Sequence, residues 1–387
     1  MRYLWILALV AACSSGEEGA TEATEPATGS TPTLAPTAST GSTATTGATA
    51  DSGTPSGPPC EAIEGADGVV VVSLSAPEHL VGPQVPAGGA GGAVTLAGPG
   101  PDGFAYLGDH SGRVLRSADG CTWEPVGQLP IEMQRFDADT GGRPSQSYYL
   151  AELFVSAHSE RLYVHDIGTQ LWVSDDGGAS FTTLPGAIDP GWIGVDPVDE
   201  DHLRMFGILD GEGGLFDSTD GGQSWTSLPF DAPEGLRSAA VARSGAWSTM
   251  AAWHSELAVT DDDGATWATI VDDCDVSDVV LDAEGLSFRC LAYIGDVYAP
   301  TPVVTARRTT DLGATFVELP VTDDAGFYVR GSGFGAGALV SAGFTLDGAQ
   351  VEVTTLTDTY VHPLAASLTG NTKGVVVLGD RAVIATD

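Results

Sequence analysis

The sequence predicts an all-β fold built from repeated four-stranded units, and three observations carry that expectation. An octet rich in Asp and Gly recurs: SDDGGASF from Ser174, STDGGQSW from Ser218, TDDDGATW from Thr260 and TTDLGATF from Thr309, with a copy one residue shorter, SADGCTW, from Ser117. The starts lie 57, 44, 42 and 49 residues apart, a period that calls for a repeat architecture. Low-complexity composition does not account for this, because it would not hold an aromatic residue seven places after a hydroxyl in four separate copies. Between the octets the chain reads as short apolar, β-branched and aromatic runs broken by polar turns.

Taken in order, MRYLWILALVAAC opens with one basic residue, Arg2, followed by ten mainly apolar residues. That is too short to span a bilayer and suits a secretory signal over residues 1–12. Val10-Ala11-Ala12 directly before Cys13 resembles the bacterial lipobox. The resemblance implies lipidation of Cys13 and a place in a bacterial cell envelope, on the outer membrane or cell surface before the inner membrane. From Ser14 to Pro59 the chain is dominated by Thr, Ala, Gly, Ser and Pro, with a single Leu and no aromatic residue. Such a segment buries too little apolar surface to offset chain entropy, so residues 13–59 are expected to be a lipidated Cys and a disordered tether. As a coil it would span about 40 Å.

Residues 60–387 read as one domain. In LAELFVSAHSERLYVHDIGTQLWVSDDGGASFTTLP the runs LFVSA, RLYVH, QLWVS and SFTTL are strands, and four strands per 40-odd residues make one blade of a β-propeller. WIGVD, HLRMFG, GLFDS and SWTSLP repeat the pattern, as do RSAAVA, WSTMAAW, ELAVT and TWATIV. Each octet then falls in the turn between the third and fourth strands. There the Asp carboxylate accepts backbone N–H bonds, the Gly takes a backbone angle other residues resist, and the aromatic packs between blades. VEVTTLTDTYVHPL adds a further third and fourth strand with a decayed octet, and VVVLGDRAVIATD ends without a fourth strand. An unpaired edge is a liability, so GVVVVSL at 68–74 is expected to supply that strand beside residues 383–386. This closes a ring of seven blades, with six and eight as the alternatives.

Four of the five Cys lie in the domain, at 60, 121, 274 and 290, and an even count in an exported chain favours disulfides in one of three connectivities. Cys274 and Cys290 flank a single strand-like stretch and should pair locally, leaving Cys60 for Cys121. The domain holds 47 acidic and 14 basic residues, a net charge of about −33, with Lys373 its one Lys. Nucleic acid and anionic lipid are poor partners for such a surface.

The octets resemble the Asp-box, or bacterial neuraminidase repeat, of sialidases, sortilin-type receptors, photosystem II assembly factors and some xyloglucan hydrolases. The resemblance covers residues 117 to 316. It implies that Asp119, Asp176, Asp220, Asp262 and Asp311, with Trp123, Phe181, Trp225, Trp267 and Phe316, are fold elements on the face opposite the ligand site.

On that other face the longest connection is Gly127 to Leu150, followed by FDAPEGLR and VTDDAGFYVR, and loops longer than a turn requires tend to be functional. A sialidase would need three Arg on a substrate carboxylate, a Tyr nucleophile activated by Glu, and an Asp acid. Arg143, Arg237 and Arg330 fall on this face from three blades and would suit an anion clamp. Tyr148 or Tyr149 is the nucleophile candidate, but the family's Arg-Ile-Pro triplet is absent. Asp137, Asp139, Asp231, Glu234, Asp323 and Asp324 offer a two-carboxylate alternative. His110, His165 and His254 are scattered singly, GVDPVDEDHLR lacks the Gly and terminal Glu of a calcium hand, and no phosphate loop occurs. The reading is therefore a non-catalytic, monomeric envelope lipoprotein that binds a protein or glycan, with no cofactor or metal. Glycoside hydrolysis is the alternative.

Overall fold

A computed structural model describes residues 60–81, 93–100, 102–109, 111–129, 152–156, 159–165, 170–186, 188–196, 199–229, 237–243, 246–253, 256–260, 265–281, 285–296, 299–311, 313–321, 327–345, 348–364 and 372–386. Residues 1–59, where a signal, a lipidated Cys13 and a tether are expected, lie outside them. What is described is an all-β propeller in which every sheet has four antiparallel strands.

Two strands open the domain, β1 (Val69–Ser73) and β2 (Leu80–Val81). Six sheets then follow as meanders in chain order. The first is β3 (Ala93–Ala97), β4 (Ala105–Asp109), β5 (Arg113–Ser117) and β6 (Glu124–Gln128). The second is β7 (Glu152–Val155), β8 (Leu162–His165), β9 (Leu171–Ser174) and β10 (Thr182–Thr183). Next come β11 (Ile188–Val195), β12 (Leu203–Leu209), β13 (Glu212–Ser218) and β14 (Thr226–Leu228). They are followed by β15 (Arg237–Arg243), β16 (Ala246–Trp253), β17 (Glu256–Thr260) and β18 (Ala268–Val271). The fifth meander is β19 (Asp275–Leu281), β20 (Leu286–Asp296), β21 (Ala299–Thr309) and β22 (Val317–Leu319). The sixth is β23 (Tyr328–Gly335), β24 (Ala338–Thr345), β25 (Gly348–Thr354) and β26 (Thr359–Pro363).

The remaining sheet is composite, with the order β2-β1-β28-β27, where β27 is Thr372–Leu378 and β28 is Arg381–Thr386. β1 runs antiparallel to β28 from Val69 opposite Ala385 to Ser73 opposite Arg381. This differs from the sequence expectation in one respect: β1 is the third strand of its sheet, not the outer fourth, and β2 takes the edge. Burial explains the difference. Val69, Val70, Val71 and Val72 are at most 2 % exposed, and a run buried on both faces belongs inside a sheet, while the half-buried Leu80 and Val81 suit an edge.

The core lies between neighbouring sheets. Val69, Val71, Val383 and Ala385 of the composite sheet pack on Leu96, Leu107, Leu115 and Trp123 of the first meander. On the other side, Val70, Val72, Ala382 and Ile384 pack on Val340, Val351 and Val353 of the sixth. Tyr163 and Leu171 meet Leu203, Met205 and Phe216 in the same way.

Both disulfides join the expected residues, Cys60 to Cys121 and Cys274 to Cys290. The first spans 61 residues, a closure that contributes ~4 kcal/mol in the chain-entropy account. Beside it the backbone of Glu64 donates to Cys121 O at 2.8 Å and accepts from Trp123 N at 2.9 Å.

Candidate functional site

The octets sit between the third and fourth strands of their sheets: β5 to β6, β9 to β10, β13 to β14, β17 to β18 and β21 to β22. Their chemistry is local and repeats. In the turn from Ser218, the Ser218 hydroxyl donates to Asp220 Oδ1 at 2.9 Å and accepts from the Gly222 N–H at 2.9 Å. The Asp220 carboxylate in turn accepts from Ser224 N at 2.8 Å and Ser224 Oγ at 2.6 Å. The same set ties Ser174, Asp176, Gly178 and Ser180, and Thr309, Asp311, Gly313 and Thr315. In the short copy, Asp119 accepts from Cys121 N at 2.8 Å and Thr122 N at 2.9 Å. Gly178, Gly222 and Gly313 have φ near +90° (92°, 86° and 91°), the left-handed region that favours glycine.

The group facing the interior is the leading hydroxyl, with Ser117, Ser174, Ser218, Thr260 and Thr309 at most 2 % exposed, whereas Asp176, Asp220 and Asp311 are exposed. A small neutral hydroxyl side chain, Ser or Thr, fits under the turn, and the charged carboxylate stays in water where its solvation costs nothing. Ser218→Ala should therefore cost about 1 to 3 kcal/mol, because it strands the buried Gly222 N–H. Asp220→Ala, whose partners are re-solvated, should cost about 1 kcal/mol. Equal denaturant midpoints for Asp220→Ala and Ser218→Ala would contradict this ordering.

Four of the closing aromatics, Trp123, Phe181, Trp225 and Phe316, join the cluster that their own sheet shares with the preceding one. Trp123 is buried against the composite sheet and donates its Nε1–H to Gly120 O at 3.0 Å. Phe181 packs with Tyr106 and Val114, Trp225 with Tyr163 and Leu184. Phe316 packs edge-on to Phe288, with ring centroids 5.8 Å apart, beside Leu257 and Val259. Trp267 is half-buried just before β18, and Asp262 lies outside the described residues.

The carboxylates carry an acid signature. The Ser180 hydroxyl holds Asp176, and the Ser224 hydroxyl holds Asp220, below the ordinary aspartate range. The Thr315 hydroxyl and N–H bring Asp311 down to about 2. Burial pushes Asp119 up, but the N–H groups of Thr122 and Cys121 outweigh it and the net shift is downward. A carboxylate that is more acidic folded than unfolded stabilises the fold above its unfolded pKa and loses that contribution as pH falls through its folded one. The melting temperature should thus fall between about pH 4 and pH 2, and Asp311→Asn should make the fall shallower. A profile identical to wild type would contradict the assignment.

Of the candidate ligand residues, Arg143, Tyr148, Tyr149, Asp137, Asp139, Asp231, Glu234, Asp323, Asp324, His110 and His254 lie outside the described residues. Arg237 is the first residue of β15 and Arg330 the third of β23. Both strands begin their meanders. In an antiparallel four-strand meander the start of the first strand and the turn from third to fourth lie at opposite ends, so both Arg positions are at the end away from the octets. His165 ends β8 and is buried. Of GVDPVDEDHLR, Gly194 and Val195 end β11 and residues 199–202 form a turn leading into β12, with His202 N donating to Asp199 O at 3.0 Å.

Sequence reasoning missed the polar staples between sheets. Arg161 donates through Nε to Asp175 and through Nη1 to Asp201 across the next sheet, each at 2.6 Å. Tyr163, buried beside it and pushed up to about 12 by that burial, donates to Glu200 O at 3.4 Å. Arg289 of β20 reaches Glu352 of β25 at 2.8 Å, both side chains buried. Arg381 Nη1 donates to Asp119 O at 3.0 Å and lies 3.0 Å from Cys121 Sγ. An arginine at or just before the head of a second strand, at Arg161 and Arg381, was the available signal.

No family model matches the chain, and no curated protein sequence matches it. Its fold is similar to solved β-propellers. YCF48 from Cyanidioschyzon merolae aligns over 78 % of this chain and 95 % of its own at 15 % identity and a TM-score of 0.50. YCF48 bound to D1 peptide aligns over 84 % and 99 % at 12 % identity and 0.49. The GH74 xyloglucanase from Xanthomonas campestris aligns over 72 % of this chain at 17 % identity and 0.46, and the chain covers 48 % of that enzyme's length. At these identities the likeness concerns the fold alone.

Proposed function

We propose that the chain is a lipid-anchored, monomeric envelope protein whose single Asp-box propeller, seven blades closed by residues from both ends of the domain, recognises a protein or glycan without catalysis. The observation that carries the binding reading is the placement of Arg237 and Arg330. In a domain of net charge about −33, both stand at the start of a meander's first strand, in two different sheets, at the end the octets do not occupy. Guanidinium groups suit bidentate recognition of carboxylates or other planar anions. Acidic residues of a protein and uronic or sialic acids of a glycan both present them. The carboxylates of Asp119, Asp176, Asp220 and Asp311 are occupied by their own turns.

The test is a pull-down from envelope extract run beside a glycan array, with wild type and Arg237→Ala/Arg330→Ala. The double variant should melt as wild type does and lose the captured protein or glycan. Retention of the same partner at the same strength would refute the reading. Turnover of a fluorogenic sialoside or β-glucoside by wild type would replace it with glycoside hydrolysis. Clickable fatty acid should label wild type and not Cys13→Ser, and equal labelling would remove the anchor.

A further inference from the structure

The two disulfides differ in their surroundings. Cys121 Sγ has the Arg381 guanidinium Nη1 at 3.0 Å, in a buried contact, and its partner Cys60 is only half-buried. The Asp119 carboxylate, two residues before Cys121, accepts from the Cys121 and Thr122 N–H groups and the Ser117 hydroxyl. Cys274 and Cys290 are 5 % and 1 % exposed, and a carboxylate oxygen of Asp273 lies within 4.8 Å of both sulfurs. Arg307 pairs with that carboxylate at 2.9 and 3.0 Å and keeps it ionised. A cation beside a sulfur stabilises its thiolate and makes it a better leaving group, whereas burial of both sulfurs of a disulfide keeps an incoming thiolate out.

We propose that Cys60–Cys121 is a reducible latch which a small dithiol opens ahead of Cys274–Cys290, with Cys121 leaving as a thiolate paired to Arg381. One thiolate of the dithiol attacks Cys60 Sγ and forms a mixed disulfide. The Cys60–Cys121 bond breaks, and its electron pair goes to Cys121 Sγ. The second thiol of the dithiol, deprotonated by solvent, attacks the dithiol sulfur of the mixed disulfide. Cys60 leaves and takes a proton from water. Two electrons have then passed from the dithiol, now a cyclic disulfide, to the protein. Opening removes the covalent tie at residue 60 and leaves Glu64 joined to the neighbouring turn by its two backbone bonds, next to the pairing of β1 with β28 that joins the two ends of the domain.

The experiment is native-state reduction of the full chain with dithiothreitol, quenched by alkylation and mapped by peptide mass spectrometry. Cys60 and Cys121 should be alkylated at least tenfold faster than Cys274 and Cys290. Arg381→Gln should slow that opening several-fold, and Arg381→Lys should restore most of it. Simultaneous opening of both bridges, or an unchanged rate in a folded Arg381→Gln, would overturn the proposal. Because Arg381 is buried and its loss can compromise folding, the pH dependence of iodoacetamide alkylation is also measured on reduced wild type. Cys121 should titrate below the ordinary cysteine value of about 8.5, and titration at or above it would equally overturn the proposal.

Discussion

Arg289→Met should lower stability by about 3 to 5 kcal/mol, the cost of leaving one partner of a buried ion pair uncompensated. Arg289 and Glu352 are 63 residues apart, on β20 and β25 of adjacent sheets, and their side chains are 5 % and 1 % exposed. The guanidinium also lies over the Phe327 ring, 5.1 Å from its centroid, so methionine keeps part of the packing and the loss isolates the charge. Glu352 then remains in a low-dielectric joint with the Thr354 hydroxyl at 3.4 Å as one of its neighbours. The pair variant Arg289→Met/Glu352→Leu should recover much of the loss, since an apolar replacement of both partners removes the stranded charge. Urea midpoints for the three variants decide it, and additive losses would mean the two side chains do not act as a pair.

The second large effect is expected from Gly127→Ala. Gly127 lies in β6, the outer strand of its sheet, and a Cβ there would stand 1.9 Å from Gly178 O and 2.8 Å from Gly178 C. Both are backbone atoms of the octet turn in the next sheet, so no side chain can swing aside to make room. The sheets themselves must separate, and the loss should exceed the about 1 to 3 kcal/mol of ordinary overpacking. Gly213→Ala is the control, because its Cβ would meet nothing nearer than 3.9 Å. A Gly127→Ala protein as stable as Gly213→Ala would show that the joint between these sheets is looser than described.

How much of this was legible in the sequence depends on the range over which the causes act. The octet turns were readable because their hydrogen bonds join residues at most four apart, so Ser, Asp, Gly and aromatic positions announce the turn by themselves. The pairing of Val69–Ser73 with β28 followed from an edge that needed covering. The position of β1 within its sheet did not follow, because a short apolar run reads alike as a second, third or fourth strand until its two-sided burial is seen. Arg289 and Glu352 could not be matched at all, since nothing local in either stretch specifies a partner 63 residues away. The candidate anion clamp was legible only as positions. Arg237 is the first residue of β15 and Arg330 the third of β23, while Arg143, Tyr148 and Tyr149 lie outside the described residues.

The composite sheet also sets a schedule for synthesis. Gly68 O accepts from Thr386 N, and these residues are 318 positions apart. At translation rates of about 5 to 20 residues per second, roughly 15 to 60 s separate the emergence of Val69–Val72 from that of their partners on β28. For that interval four consecutive valines have no native strand on the β28 side, and a free apolar edge is prone to wrong pairing. The strand that joins the two ends of the finished domain is therefore, during its making, the segment most in need of a holding partner.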